Sequence, residues 1–260
     1  MDATDVELDG PFRLDGKVAV VTGASGGLGE RFARVLHAAG ATVVGGARRA
    51  ERLEALAAEL ERFVPVTCDV ADDADLSRLV AAAVAAGDGG VDVLVNNAGI
   101  SDGPLPALDE DPALFRRVVD VNLTAVFVLT QQVAALMVER GGGSIVNISS
   151  VHGLVAAAPN HQAAYVASKA GIIGLTRELA CQWATKGVRV NAIAPGYFAS
   201  ELTEAMFEDD GGRRWVERNT PMRRPGAAHE LDGALLFLAG AASTYVTGQV
   251  LAVDGGFTAR

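Results

Sequence analysis

Short apolar runs rich in valine alternate with segments of helical period along the whole chain. The runs are Lys17–Thr22, Ala41–Ala47, Phe63–Cys68, Val91–Asn96, Ser144–Ser149, Val188–Ile193 and Val250–Val253. Helical segments lie between them at Glu30–Ala39, Ala50–Glu61, Asp73–Ala86 and Pro112–Arg140, then from near Tyr165 to about Lys186, and at 228–239. The runs are continuously apolar rather than alternating, as expected of strands covered on both faces. This pattern predicts an α/β fold, a doubly wound seven-stranded parallel sheet with helices on both faces. Ligands of such sheets bind beyond the carboxyl ends of the strands. With no linker, composition break or repeat, residues 1–260 read as a single domain, with 1–14 a polar lead-in and 197–226 irregular.

Half of the 260 residues are hydrophobic, enough for a sizeable core, and the net charge is −10. That charge repels nucleic acid and anionic membrane surfaces, so neither is an expected partner. Cys68 and Cys181 sit in apolar surroundings without metal-ligand spacing and read as buried thiols of a reducing compartment. The acidic N-terminus lacks an apolar signal core, and no run reads as long enough to span a bilayer. A soluble cytoplasmic protein is the expectation.

Between the first strand and first helix stands Gly23-Ala-Ser-Gly-Gly-Leu-Gly29. Missing side chains there let the backbone approach a pyrophosphate and aim a helix N-terminus at its charge, although a ligand-free turn has the same composition. Arg48-Arg49 ends the second strand where a carboxylate would meet a ribose 2′-hydroxyl. An arginine suits a 2′-phosphate, with Arg48 the expected clamp, unless both arginines are simply solvated. Asp69-Val70 ends the third strand, where the carboxylate either meets an adenine amino group or caps a turn. Asn96-Asn97-Ala98-Gly99 ends the fourth, as a cofactor-facing or a structural turn. Asn122 lies inside a long apolar helix, where its amide needs partners and marks a helix irregularity. Ser149 and Ser150 leave the fifth strand. Tyr165 and Lys169 fall one helical turn apart on one face, so the ammonium is expected to lower the phenol's pKa and make an acid/base pair. Alone, that spacing also fits an ordinary helix surface.

Taken together, Thr22-Gly-x-x-x-Gly-x-Gly29, Asp69, Asn96-Asn-Ala-Gly99, Asn122, Ser150, Tyr165-x-x-x-Lys169, Pro195-Gly196 and Val253-Asp-Gly-Gly256 make the chain resemble a short-chain dehydrogenase/reductase from Lys17 to Phe257. The resemblance implies a Rossmann fold and an NAD(P)-dependent oxidoreductase interconverting a secondary alcohol and a ketone. It implies Tyr165 as the acid, Lys169 as ribose ligand and tuner of Tyr165, Ser150 as carbonyl positioner, and Asn122 as holder of a relay water. The cofactor-binding set it implies comprises Gly23, Ser25, Gly27, Leu28, Gly29, Arg48, Asp69, Val70, Asn97, Ala98, Gly99, Tyr165, Lys169, Pro195 and Gly196. To these it adds the backbone of Phe198 and the hydroxyl of Ser200. NADP(H) is favoured, NAD(H) is the alternative, and no metal is expected. The loop from Ser150 to Tyr165 is longer than is common in that family, which keeps Ser149 beside Ser150 as a candidate. His161 and Gln162 on this loop are candidate substrate contacts. Pro195-Gly-Tyr-Phe-Ala-Ser200 is similar to the gluconate dehydrogenase branch. A 3-oxoacyl carrier-protein reductase and a catalytically silent nucleotide-sensing module are the alternatives. The first would want a basic surface by the site, for which Arg140 and Lys186 are candidates. The segment 197–218, with Trp215, is expected as a substrate lid. The resemblance also implies a homotetramer or homodimer, with runs 118–138 and 170–184 available for an intersubunit bundle.

Overall fold

A computed structural model describes residues 10–199 and 203–259 of the chain. The elements run β1 (Val18–Thr22), α1 (Gly27–Ala38), β2 (Thr42–Ala47), α2 (Ala50–Glu59), β3 (Phe63–Thr67), α3 (Asp73–Ala85) and β4 (Val93–Asn96). They continue with α4 (Pro112–Val119), α5 (Ala125–Glu139), β5 (Gly143–Ile148), α6 (Ala163–Trp183), β6 (Val188–Pro195), α7 (Glu204–Glu208), α8 (Asp210–Asn219), α9 (Asp232–Ala239) and β7 (Val250–Val253). The sheet is seven-stranded in the order β3-β2-β1-β4-β5-β6-β7, and every pairing is parallel. The predicted doubly wound Rossmann sheet is therefore the fold. Strand order reverses between β1 and β4, which opens a crevice at their carboxyl ends.

The two-residue period of the strands sorts their side chains into two cores. Ala19 and Val21 of β1 face Phe32 and Leu36 of α1, Leu53 of α2 and Leu235 of α9. Val18 and Val20 face the opposite core with Leu76 and Leu79 of α3, Leu129 and Met137 of α5, and Leu179 of α6. Between the cores a polar ladder crosses the sheet. Asn96 Nδ2 donates to Asn147 Oδ1 (2.8 Å) and Thr130 Oγ1 (2.9 Å), and Asn147 Nδ2 donates to Thr176 Oγ1 (2.9 Å). All of these are buried, so the ladder locks β4 and β5 to α5 and α6.

Three expectations change. Segment 197–226 contains two helices rather than irregular chain. In α8, Asp209 caps the N-terminus by accepting from Gly212 N (2.7 Å), and Val216 supplies its buried contact. Such a short, highly charged helix shows little apolar period. Cys181 is exposed, not buried, because it falls on the outer face of α6, whereas Cys68 is buried. The continuous helix Pro112–Glu139 is long and apolar enough to cross a membrane by length and composition, contrary to the sequence reading. Half of its apolar window is buried inside the fold, as in a core helix.

Candidate active site

The nucleotide end of the crevice is built by backbone. Gly23 leaves β1 with φ +71°, and its N–H donates to Gly46 O (2.7 Å). A Cβ on Gly29 would stand 2.2 Å from Gly23 O and 2.5 Å from Asn97 Nδ2, so α1 reaches β1 only because position 29 has no side chain. Thr22 Oγ1 accepts from Asn97 N and Ala98 N (both 3.0 Å), and Asn97 Nδ2 donates to Thr22 O (2.9 Å), joining the β1 and β4 loops. The α1 N-terminus opens onto a cleft lined by Gly23, Ser25, Gly27, Leu28 and Gly29. Asn97, Ala98 and Gly99 form the floor beside them. These residues fit a dinucleotide: a turn too tight for a Cβ, free helix N–H groups and cations above them.

Both arginines after β2 line this cleft. Arg48 is exposed at its rim. Arg49 is folded over the turn, donating from Nε to Ser25 Oγ (3.1 Å) and from Nη2 to Ser25 O (3.2 Å). The sequence reading singled out Arg48, and the fold adds Arg49. Asp69 and Val70 line the cleft; Asp69 Oδ1 also accepts from Ala71 N (3.1 Å), so the carboxylate shapes its own turn. Arg117 of α4 lines the cleft as well and was not foreseen. Its helix docks there only in three dimensions.

At the other end of the cleft stand Ser150, Tyr165 and Lys169. Lys169 is buried; its Nζ donates to Ile148 O (2.8 Å) and lies 5.7 Å from the centroid of the Tyr165 ring. Burial pushes its pKa down to about 8. Burial likewise pushes the Tyr165 phenol up, against a hydrogen bond from Ser150, while the Asp102 carboxylate pushes it further up. The expected lowering by Lys169 is not seen in the protein alone: desolvating the phenolate outweighs the one lowering contact, the Ser150 hydrogen bond. Ser150 is the serine facing Tyr165. Ser149 also lines the cleft, but its Oγ is engaged, donating to Lys169 O (2.8 Å).

Asn122 lies in a π-helical turn, Asp120–Thr124, between α4 and α5, which is the predicted irregularity. Its amide is satisfied: Oδ1 accepts from Ile100 N (2.8 Å), and Nδ2 donates to Ile100 O (2.8 Å) and Ser168 Oγ (3.1 Å). It therefore clamps the β4 loop to α6. A Cβ on Gly99 would stand 3.2 Å from Asn122 Oδ1 and 3.6 Å from Lys169 Nζ, so the three positions meet.

Pro195, Gly196 and Phe198 line the cleft, as does Thr203, whose Oγ1 donates to Phe198 O (2.6 Å). Ser200 lies outside the described residues. His161 is exposed, and its carbonyl accepts from Leu105 N (2.8 Å); Gln162 sits at the N-cap of α6. Neither is among the cleft-lining residues. His152 lies in the turn beyond the cleft-lining Ser150, its backbone N–H donating to Ser150 Oγ (3.1 Å) and its Nε2 3.0 Å from the Tyr197 hydroxyl. Its place two residues after Ser150 was the available signal. Asp102 and Glu110 also meet beside Tyr165, where burial and then the Asp102 charge push the Glu110 pKa up. Among the described residues no group of His, Cys, Asp and Glu could hold a metal.

A family model described as enoyl-(acyl carrier protein) reductase matches residues 23–258. Galactitol 2-dehydrogenase (L-tagatose-forming) of Cereibacter sphaeroides is 43% identical over 95% of this chain and 97% of its own. The 3-oxoacyl-[acyl-carrier-protein] reductase of Thermotoga maritima is 39% identical over 94% of this chain and 99% of its own. Among solved structures, a gluconate 5-dehydrogenase from Burkholderia cenocepacia in complex with NADP and tartrate is 38% identical. It superposes with a TM-score of 0.91 and covers 97% of this chain and 99% of that one. The chain belongs to the short-chain dehydrogenase/reductase family and is a nicotinamide-dependent oxidoreductase interconverting an alcohol and a ketone.

Proposed function

We propose that the protein is an NADP(H)-preferring reductase or dehydrogenase of polyhydroxylated substrates, with Tyr165 as its acid and base. The observation that carries the chemistry is the convergence of Ser150, Tyr165 and Lys169 at the end of a cleft whose other end is a glycine turn. The bound nicotinamide supplies or accepts the hydride. Tyr165, whose phenol burial pushes up from its ordinary value, donates its proton to the ketone oxygen, and Ser150 holds that oxygen. Lys169, oriented by Ile148 O, limits the cost of the phenolate that remains. Asn122 braces Lys169's surroundings through Ile100 and Ser168. Arg48 and Arg49 with Ser25 form a cationic corner for a 2′-phosphate, supporting NADP(H) over NAD(H).

The polyol and sugar-acid names of the galactitol and gluconate relatives support the substrate class. The carrier-protein reading is less well supported. Arg140 and Lys186 precede β5 and β6, at the amino end of the sheet, away from Tyr165, and Arg140 Nη1 already donates to Asp88 O (2.6 Å). Exposed Phe115 and Phe127 on α4 and α5, and Tyr245 before β7 with Leu251 on it, support a homotetramer. The single sheet supports one domain, the contact of Trp215 with Tyr197 supports a substrate lid in 197–226, and the thiol-only cysteines support the cytoplasm. The test is NADPH oxidation with L-tagatose against a 3-oxoacyl thioester. Turnover of the sugar is the expected result, and turnover of the thioester alone would overturn the substrate class.

A further inference from the structure

Past Ser150 and Tyr165, four half-buried rings from four separate segments close on one another. His152 lies in the turn after Ser150, Tyr197 follows Pro195-Gly196, Trp215 comes from α8, and Phe257 follows β7. Tyr197 stands edge-on to Trp215 and Phe257 (5.4 Å each) and to His152 (5.8 Å). Packing on three sides fixes the Tyr197 ring. Its hydroxyl is 3.0 Å from His152 Nε2.

His152 Nδ1 is buried without a hydrogen-bond partner; the carbonyls of Ala156 and Val155 act on the ring, and Nε2 is already taken by Tyr197, so we assign them to the Nδ1 side. A ring nitrogen facing carbonyls carries the hydrogen, so Nε2 is the acceptor. Tyr197 then donates its only hydrogen to Nε2, and its oxygen is left with lone pairs to offer. Burial, and then the charge of Tyr165, push the Tyr197 phenol up to about 12, so it stays neutral beside the reacting group.

We infer that the His152–Tyr197 pair is a hydroxyl-binding subsite that selects substrates carrying a hydroxyl group next to the reacting carbonyl. The inference rests on Tyr165 and Ser150 serving the carbonyl oxygen. Those two groups donate, whereas Tyr197, oriented by His152, accepts. A vicinal hydroxyl can donate to it. A simple ketone leaves it unpaired, and a 3-oxoacyl thioester brings another acceptor against it. Trp215 and Phe257 make the subsite dependent on α8 and on the chain end.

The experiment compares hydroxyacetone with acetone, which differ by one hydroxyl, using NADPH. Tyr197→Phe keeps the ring and removes the oxygen. It lowers the hydroxyacetone-to-acetone ratio of kcat/KM by roughly tenfold to a hundredfold, the loss expected when one buried hydrogen bond to substrate is removed. His152→Phe lowers the ratio in the same direction by less. A ratio unchanged in Tyr197→Phe overturns the subsite. Tyr165→Phe, by contrast, lowers turnover of both ketones together. In that background hydroxyacetone still perturbs tryptophan fluorescence through Trp215, and adding Tyr197→Phe weakens that binding at least tenfold. Equal binding with and without the Tyr197 hydroxyl overturns the subsite even if neither ketone is turned over. Intact turnover in Tyr165→Phe would instead overturn the acid assignment.

Discussion

The two ends of the cleft are made in different ways. The nucleotide end is main chain: Gly23 at positive φ, Gly29 with no room for a Cβ, and the N-terminus of α1. The substrate end, as proposed, is side chain, gathered from the Ser150 turn, the end of β6, α8 and the segment after β7. A main-chain site is confined to one local stretch and tolerates little change. A side-chain site assembled from four segments can be re-specified one residue at a time, while the hydride chemistry between the two ends stays the same.

The sharpest break falls where the two ends meet. Tyr165→Phe is expected to leave fold and cofactor binding intact and to lower kcat by roughly two to four decades, the range of a positioned acid. Near-normal steady-state turnover in that variant would remove Tyr165 from the mechanism. At the main-chain end, Gly29→Ala forces a methyl to within 2.2 Å of Gly23 O, so the turn must shift. A loss of about 1–3 kcal/mol in urea unfolding is expected, and an unchanged midpoint would mean that this end yields as readily as the other.

A smaller effect follows at the cationic corner. Arg48→Asp and Arg49→Asp should each shift kcat/KM from NADPH towards NADH by about tenfold, the scale of one charge-assisted contact. Because Arg49 is already held on Ser25, its variant is expected to show the larger shift. Equal preference for both cofactors in the unmodified protein would show the corner to be solvated surface.

The last effect is on the pH dependence of stability. Lys169 is held at about 8, below its ordinary 10.5, by burial. A depressed folded value means that the stability associated with its neutral form is fully present above 10.5 and is lost as pH falls through about 8. The unfolding free energy of the unmodified protein minus that of Lys169→Met should therefore rise across this window. A flat difference would show that Lys169 is hydrated and that the site is wetter than its burial implies.

Much of this was legible in the order of residues. Short apolar runs rich in valine and bounded by turn residues fit strands covered on both faces, so the parallel sheet followed from local pattern. Gly23, Gly27 and Gly29 were legible because a backbone approach demands missing side chains at fixed spacing. The Tyr165–Lys169 spacing was legible because a helical turn puts both groups on one face. What lay outside local pattern was the environment of those groups. Burial raises the Tyr165 pKa, and no spacing reports burial. Arg117 reaches the cleft, Cys181 faces outward, and Asn147 pairs with Asn96 only because helices and strands pack as they do. The His152–Tyr197 contact joins residues 45 positions apart. Hydrophobic periodicity and turn chemistry act over a few residues and were enough to set the fold and the nucleotide turn. Tertiary packing alone decided which rings meet Tyr197, which charges are desolvated and which carbonyls act on His152, because those depend on distances between segments that no local pattern encodes.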